Sequence, residues 1–152
     1  MESRSTGSRS KSAVLAKTSG IRTTVIRQKE FVPAKPTDIY DAFLNEARHS
    51  AFTGAPATCE RWVGGKFTAW DGYIVGTNVK LENGRRIVQE WMTTEWPDGC
   101  PPSILEITLK PKGAGTEIHL VQTNVPASQA KQYRQEWVEY YFAPLKKYFG
   151  KK

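Results

Sequence analysis

The sequence predicts an α+β fold in which an antiparallel sheet packs against a long aromatic C-terminal helix. Three observations carry that reading. Between residues 66 and 125, short β-rich runs are separated by glycine-containing turns, which is the signature of consecutive hairpins. Tyr133, Trp137, Tyr140, Tyr141, Leu145 and Tyr148 recur at three and four residues, the spacing of one helix face. Lastly, 152 residues is the size of one ordinary domain.

Taken in order, Thr23-Thr24-Val25-Ile26 opens a first strand that reaches Phe31 and ends at Pro33. Lys35-Pro36-Thr37-Asp38 reads as a helix start, with Pro36 in the first turn and Thr37 or Asp38 supplying a capping oxygen. Ile39, Tyr40, Phe43 and Leu44 then give this helix one apolar face. A second short helix is expected from Glu46 to Phe52, stopped by Gly54 and Pro56.

Lys66–Trp70 and Tyr73–Leu81 flank Asp71-Gly72, a strong hairpin signal. Asn83-Gly84 turns the chain into Arg86–Met92. Leu105, Ile107 and Leu109 alternate with polar residues, and Gly113-Ala114-Gly115 leads back through Glu117–Asn124, with Ile118, Leu120 and Gln122 on one face. Ser128 reads as the N-cap of the last helix. Pro144, which cannot donate to Tyr140, is expected to kink or loosen that helix. Strand, two short helices, a meander and a long terminal helix make the order of a helix-grip: a curved antiparallel sheet closed over by its last helix. Such a fold commonly leaves an apolar cavity between the two.

The charge is uneven. Net charge is +7, and Arg4, Arg9, Lys11 and Lys17 stand against one acid, Glu2, in the first twenty residues. Residues 1–20 are therefore expected to be a disordered basic tail and residues 21–152 the folded domain. Basic ends without an interleaved aromatic stripe do not make a nucleic-acid surface. No window approaches the roughly 18 apolar residues of a membrane span. Cys59 and Cys100 are lone cysteines, which supports neither a disulfide framework nor a zinc knuckle and fits a reducing, cytoplasmic setting.

Chemistry-bearing motifs are sparse. His49 and His119 form no metal-ligand spacing. Gly64-Gly65-Lys66 lacks the spacing of a phosphate loop and precedes a strand, so it reads as a glycine turn. No nucleophile signature occurs, and no cofactor or metal is expected. The aromatic content is the informative feature: 11% of the chain, including five Trp, each able to bury roughly 150–250 Å². Phe52, Trp70, Trp91, Trp96, Trp137 and Tyr141 are the candidate cavity-lining, ligand-binding residues, although an ordinary core would also use them.

Read together, Ala51-Phe52-Thr53-Gly54-Ala55-Pro56-Ala57-Thr58, Gly64-Gly65-Lys66-Phe67, Trp70-Asp71-Gly72, Ile87-Val88-Gln89-Glu90-Trp91, Trp96-Pro97-Asp98-Gly99, Gly115-Thr116-Glu117 and Trp137 with Tyr140-Tyr141-Phe142 show a resemblance. The chain closely resembles the C-terminal domain of the activators of the heat-shock-protein-90 ATPase, a branch of the START-like helix-grip (SRPBCC) superfamily. The resemblance covers about residues 23–150. It implies a domain that binds a hydrophobic small molecule without catalysis. The alternative it implies is a co-chaperone-like module that engages a heat-shock-protein-90 chaperone and stimulates its ATPase, motivated also by basic charge and the Trp96-Pro97-Asp98-Gly99 loop. A weaker reading, a cyclase- or aromatase-like enzyme, needs a polar group such as His49 or Glu90 facing the cavity. A monomer is expected in each case.

Overall fold

The structure is a computed structural model that describes residues 21–150. The expected basic tail, residues 1–20, lies outside the described residues. Seven strands form one sheet: β1 (Thr23–Val32), β2 (Thr58–Cys59), β3 (Lys66–Ala69), β4 (Ile74–Glu82), β5 (Arg86–Thr93), β6 (Ser103–Lys112) and β7 (Gly115–Pro126). Their spatial order is β1-β7-β6-β5-β4-β3-β2, every neighbour antiparallel. Two short helices, α1 (Pro36–Leu44) and α2 (Glu46–Thr53), follow β1. A terminal helix of 24 residues closes the fold. It runs as α3 (Ala127–Trp137), a π-helical turn (Val138–Phe142) and α4 (Ala143–Gly150). This is the α+β helix-grip that the hairpin signals and the aromatic stripe predict.

The turns explain why the meander closes where it does. Lys112 pairs with Gly115 across a two-residue turn whose Gly113 has φ +57°. Between β3 and β4 the loop is longer than the Asp71-Gly72 signal alone suggests. Ala69 pairs with Ile74, and Trp70, Asp71 and Gly72 all take positive φ (52°, 57° and 89°). Two consecutive non-glycine residues in that region are strained, a cost of order 1–3 kcal/mol each.

Both expected side-chain caps on the first and last helices are corrected. α1 starts at Pro36 after Lys35 with no side-chain cap, because the Lys35 carbonyl accepts from both Asp38 and Ile39. The terminal helix starts at Ala127, one residue before Ser128, because β7 runs straight into it through Pro126. Ala127 N–H donates to Arg22 O, so the backbone entering β1 satisfies a donor that a cap would otherwise serve. α2, by contrast, has a side-chain cap: Asn45 Oδ1 accepts from Arg48 N–H at 2.9 Å, and Gly54 ends the helix at φ +84°.

Pro144 does not break the terminal helix. Ala143 N–H reaches back five residues to Val138 O, and Pro144 follows this widened turn in a helix that continues to Gly150. The wide turn also brings Tyr141 and Phe142, adjacent in sequence, both into the core.

Alternation along the strands decides the inner face. Ile87, Gln89 and Trp91 of β5, Leu105, Ile107 and Leu109 of β6, and Ile118, Leu120 and Gln122 of β7 are all buried. They meet Tyr133, Trp137, Phe142 and Leu145 of the terminal helix and Ile39, Phe43 and Leu44 of α1 in one apolar core.

Candidate functional site

At one end of the sheet the terminal helix stands off from β4 and β5, leaving an open cavity of about 400 Å³. From the helix come Tyr133, Glu136, Trp137, Tyr140 and Tyr141, a run at i, i+3, i+4, i+7 and i+8 that makes one continuous stripe. From the β3–β4 turn and β4 come Trp70, Tyr73 and Ile74; β5 supplies Trp91. Gly76 on β4 lies opposite Trp91.

Of the six cavity candidates named from sequence, the structure brings four together around this space: Trp70, Trp91, Trp137 and Tyr141. Trp137 stacks obliquely on Tyr141 and Trp91, with centroids 4.8 Å and 5.7 Å apart, and Trp70 meets Tyr140 edge-on at 5.5 Å. The other two lie elsewhere. Trp96 sits behind the wall, against Trp91 and Tyr133, with its Nε1–H donating to Pro101 O at 2.9 Å. Phe52 is buried against Tyr141, between His49 and Tyr148, and lines a separate, more open cleft of about 470 Å³ with Pro144. Both miss the cavity for one reason. Trp96 follows the end of β5 and α2 packs on the other flank of the helix, so strand parity does not govern either.

Tyr73, Ile74, Tyr133, Glu136 and Tyr140 line the cavity and were not among the sequence candidates. The usable signal was the helical stripe itself, since Glu136 falls on the same face as Tyr133, Trp137 and Tyr140. Among the described residues the Glu136 carboxylate is the sole charged side chain of the lining, and Gln132 Nε2 donates to its Oε2 at 3.0 Å.

The wall is held by buried polar chains. Trp137 Nε1–H donates to Gln122 Oε1 (2.9 Å), Gln122 Nε2 to Ser103 Oγ (3.0 Å), and Ser103 O–H to Trp91 O (2.6 Å). Gln122 and Ser103 are fully buried, so each bond also prevents an unsatisfied polar group. A second set latches the end of β5 to the helix. Glu95 N–H donates to Thr93 Oγ1, Thr93 O–H to Tyr133 Oη, Tyr133 O–H to Gln129 Oε1, and Gln129 Nε2 returns to Glu95 O.

Behind the Trp91–Trp137–Tyr141 wall lies a void of only about 20 Å³, lined in part by His49 and Gln89. His49 Nδ1–H donates to Phe43 O and Tyr141 O–H donates to His49 Nε2, both at 3.0 Å. Those partners assign the neutral Nδ1–H tautomer. Burial lowers the His49 pKa, and the Phe43 carbonyl only partly offsets it. Burial likewise drives the Tyr133 and Tyr141 phenols well above their ordinary value, so both stay protonated. They can donate hydrogen bonds but cannot serve as bases near neutrality. Glu90, the other group the enzyme reading would need, is exposed on the outer face of β5, flanked by the inward-facing Gln89 and Trp91.

The remaining sequence motifs have structural roles. Gly64 has φ +88°, and a Cβ on Gly65 would lie 2.3 Å from Glu60 O, so the glycine pair makes a close-packed turn. Asn78, buried on β4, donates to Glu60 O and accepts from Gln89 Nε2, both at 2.9 Å. Cys59 and Cys100 are free thiols. No helix among the described residues is long and apolar enough to cross a membrane.

Comparison with known proteins now decides the family. The sequence model described as "Activator of Hsp90 ATPase homolog 1-like protein" matches residues 33–150. The chain belongs to that family. It is 35% identical over 130 residues to the human activator of 90 kDa heat shock protein ATPase homolog 1, covering 86% of this chain and 38% of the relative. The Dictyostelium discoideum activator is 34% identical over 116 residues, 76% of this chain and 30% of the relative. The chain thus spans well under half the length of these relatives. Among solved structures, an HSP90 activator from Plasmodium falciparum superposes with a TM-score of 0.77 at 21% identity, covering 83% of this chain and 96% of that one. DynU16, from the dynemicin biosynthetic locus, gives a TM-score of 0.69 at 17% identity, covering 84% of this chain and 47% of that one. At these identities the two structures establish the shared fold.

Proposed function

We propose that this domain binds a hydrophobic small molecule in the cavity between the terminal helix and β4–β5, without catalysing a reaction. The observation that carries this reading is the cavity: about 400 Å³ and walled mainly by aromatic side chains, within the size range of small-molecule sites. Two features support it. The wall is braced from behind by satisfied polar chains, which makes it preformed, and the β3–β4 turn that carries Trp70 is fixed by Asp71 N–H donating to Pro56 O and Tyr73 N–H to Trp70 O. The chemistry argues against turnover, since His49 is committed to Phe43 and Tyr141 and Glu90 faces away.

Intrinsic Trp fluorescence across a panel of neutral aromatic and lipid ligands tests it. Saturable changes are expected; a flat response across the panel overturns the reading.

Family membership favours a second reading, a module that engages an Hsp90 chaperone and stimulates its ATPase. The Trp96-Pro97-Asp98-Gly99 loop is a poor contact for it, because the Trp96 ring is packed against Trp91 and Tyr133. Trp62 and Val63, each more than 60% exposed on the loop before β3, are better placed. Pull-down with the chaperone followed by an ATPase assay decides it; no binding and no stimulation reject it.

A further inference from the structure

The cavity has an unusual pairing of linings. Among the described residues, seven of the nine lining side chains are aromatic, and the single charge is a carboxylate, Glu136, although the chain as a whole carries +7. Aromatic rings present a negative face and a positive edge, so rings that turn their faces to a shared space favour a positive charge there. Trp91 and Trp137 are tilted 34° to one another at 5.7 Å, while Trp70 and Tyr140 form an edge-on pair. A ligand there would lie among aromatic rings supplied by both the sheet and the helix.

The local field has the same sign. Burial raises the Tyr73 phenol pKa, and the Glu136 and Glu95 carboxylates add to that shift, so the charge felt at this lining residue is negative. Of the nearby helix cations, Arg134 is turned toward β1, donating to Val25 O, and Lys131 is exposed; neither is part of the lining. The overall positive charge acts through solvent, where screening limits its reach to about 8 Å at physiological salt. Glu136 acts at contact. The local term decides.

Resting on the cavity reading above, we infer that the preferred ligand class is an organic cation: a substituted ammonium head on an apolar body, the head held by the aromatic cage and Glu136. A neutral ligand of the same shape would leave the Glu136 carboxylate without a counter-charge. An anion of that shape would meet the carboxylate at contact.

The test is a pair of near-isosteric probes titrated calorimetrically into the full chain: benzyltrimethylammonium and its neutral carbon analogue, neopentylbenzene. Hydrophobic transfer alone favours the neutral compound, so a preference for the cation can come only from the site. We expect the cation to bind about tenfold more tightly. Glu136→Gln, at a half-exposed helix position, should weaken the cation about threefold or more, and weaken it more than it weakens neopentylbenzene. Equal or tighter binding of neopentylbenzene overturns the cation inference while leaving the cavity reading intact. If neither probe binds, and the neutral panel is silent as well, both fall. Equal weakening of both probes by Glu136→Gln overturns the role given to the carboxylate.

Discussion

The Trp137 indole faces the cavity on one side and spends its only donor on Gln122 Oε1, an acceptor with no access to water. Phenylalanine at this position keeps most of the apolar contact but orphans that acceptor. Trp137→Phe should therefore lower unfolding free energy by about 1–3 kcal/mol, the cost of a buried unsatisfied group. Urea denaturation reads this directly, and an unchanged midpoint would show that the Gln122 bond contributes nothing. His49 supplies a pH signature. Its folded pKa lies below the unfolded value of 6.5, so protons bind preferentially to the unfolded chain. The stability it contributes is complete above about pH 6.5 and is lost as pH falls through the folded value. Between pH 7 and 5 the urea midpoint of the wild type should fall more steeply than that of His49→Asn. Parallel slopes would mean that the imidazole titrates normally.

At the scale of elements, the sheet was readable because its turns carry local chemistry: Gly84 and Gly113 take positive φ where Asn83-Gly84 and Gly113-Ala114 predict turns. The inner face of β7 was readable for a similar reason, since parity puts Ile118, Leu120 and Gln122 together. The helix starts were less so. Arg22 O, more than a hundred residues away in sequence, satisfies Ala127 N–H, and no local pattern reports such a partner. Pro144 signals a kink or loosening of the helix, whereas the π-helical turn before it, which buries both Tyr141 and Phe142, has no local sequence signal. Gly76 offers the sharpest test of sheet packing. A Cβ there would lie 1.9 Å from Glu90 O and 2.6 Å from the Phe67 ring. Gly76→Ala should cost at least about 2 kcal/mol or push β4 away from β5 and β3, read by thermal denaturation. A melting temperature within a degree of wild type would contradict the close approach.

For the molecule as a whole, family and fold were legible from motif order, whereas the membership of the cavity was only partly so. Four of its rings could be named because they lie on a strand, on a helix stripe or at a hairpin. Trp96 and Phe52 lie outside its lining because a loop and α2 fold back to place them, and no sequence motif marks Glu136 beyond its place on the same helix face as Tyr133, Trp137 and Tyr140. The five tryptophans consequently divide into separate environments. Trp70, Trp91 and Trp137 face the cavity, Trp96 backs the wall, and Trp62 stands 61% exposed on a loop outside the lining. That division makes the most direct measurement an NMR titration of the indole Nε1–H signals, with a neutral aromatic ligand and then with benzyltrimethylammonium. Binding in the cavity predicts saturable shifts for Trp70, Trp91 and Trp137 while Trp62 stays fixed. Shifts confined to Trp62, or none at any indole up to ligand saturation, would contradict it.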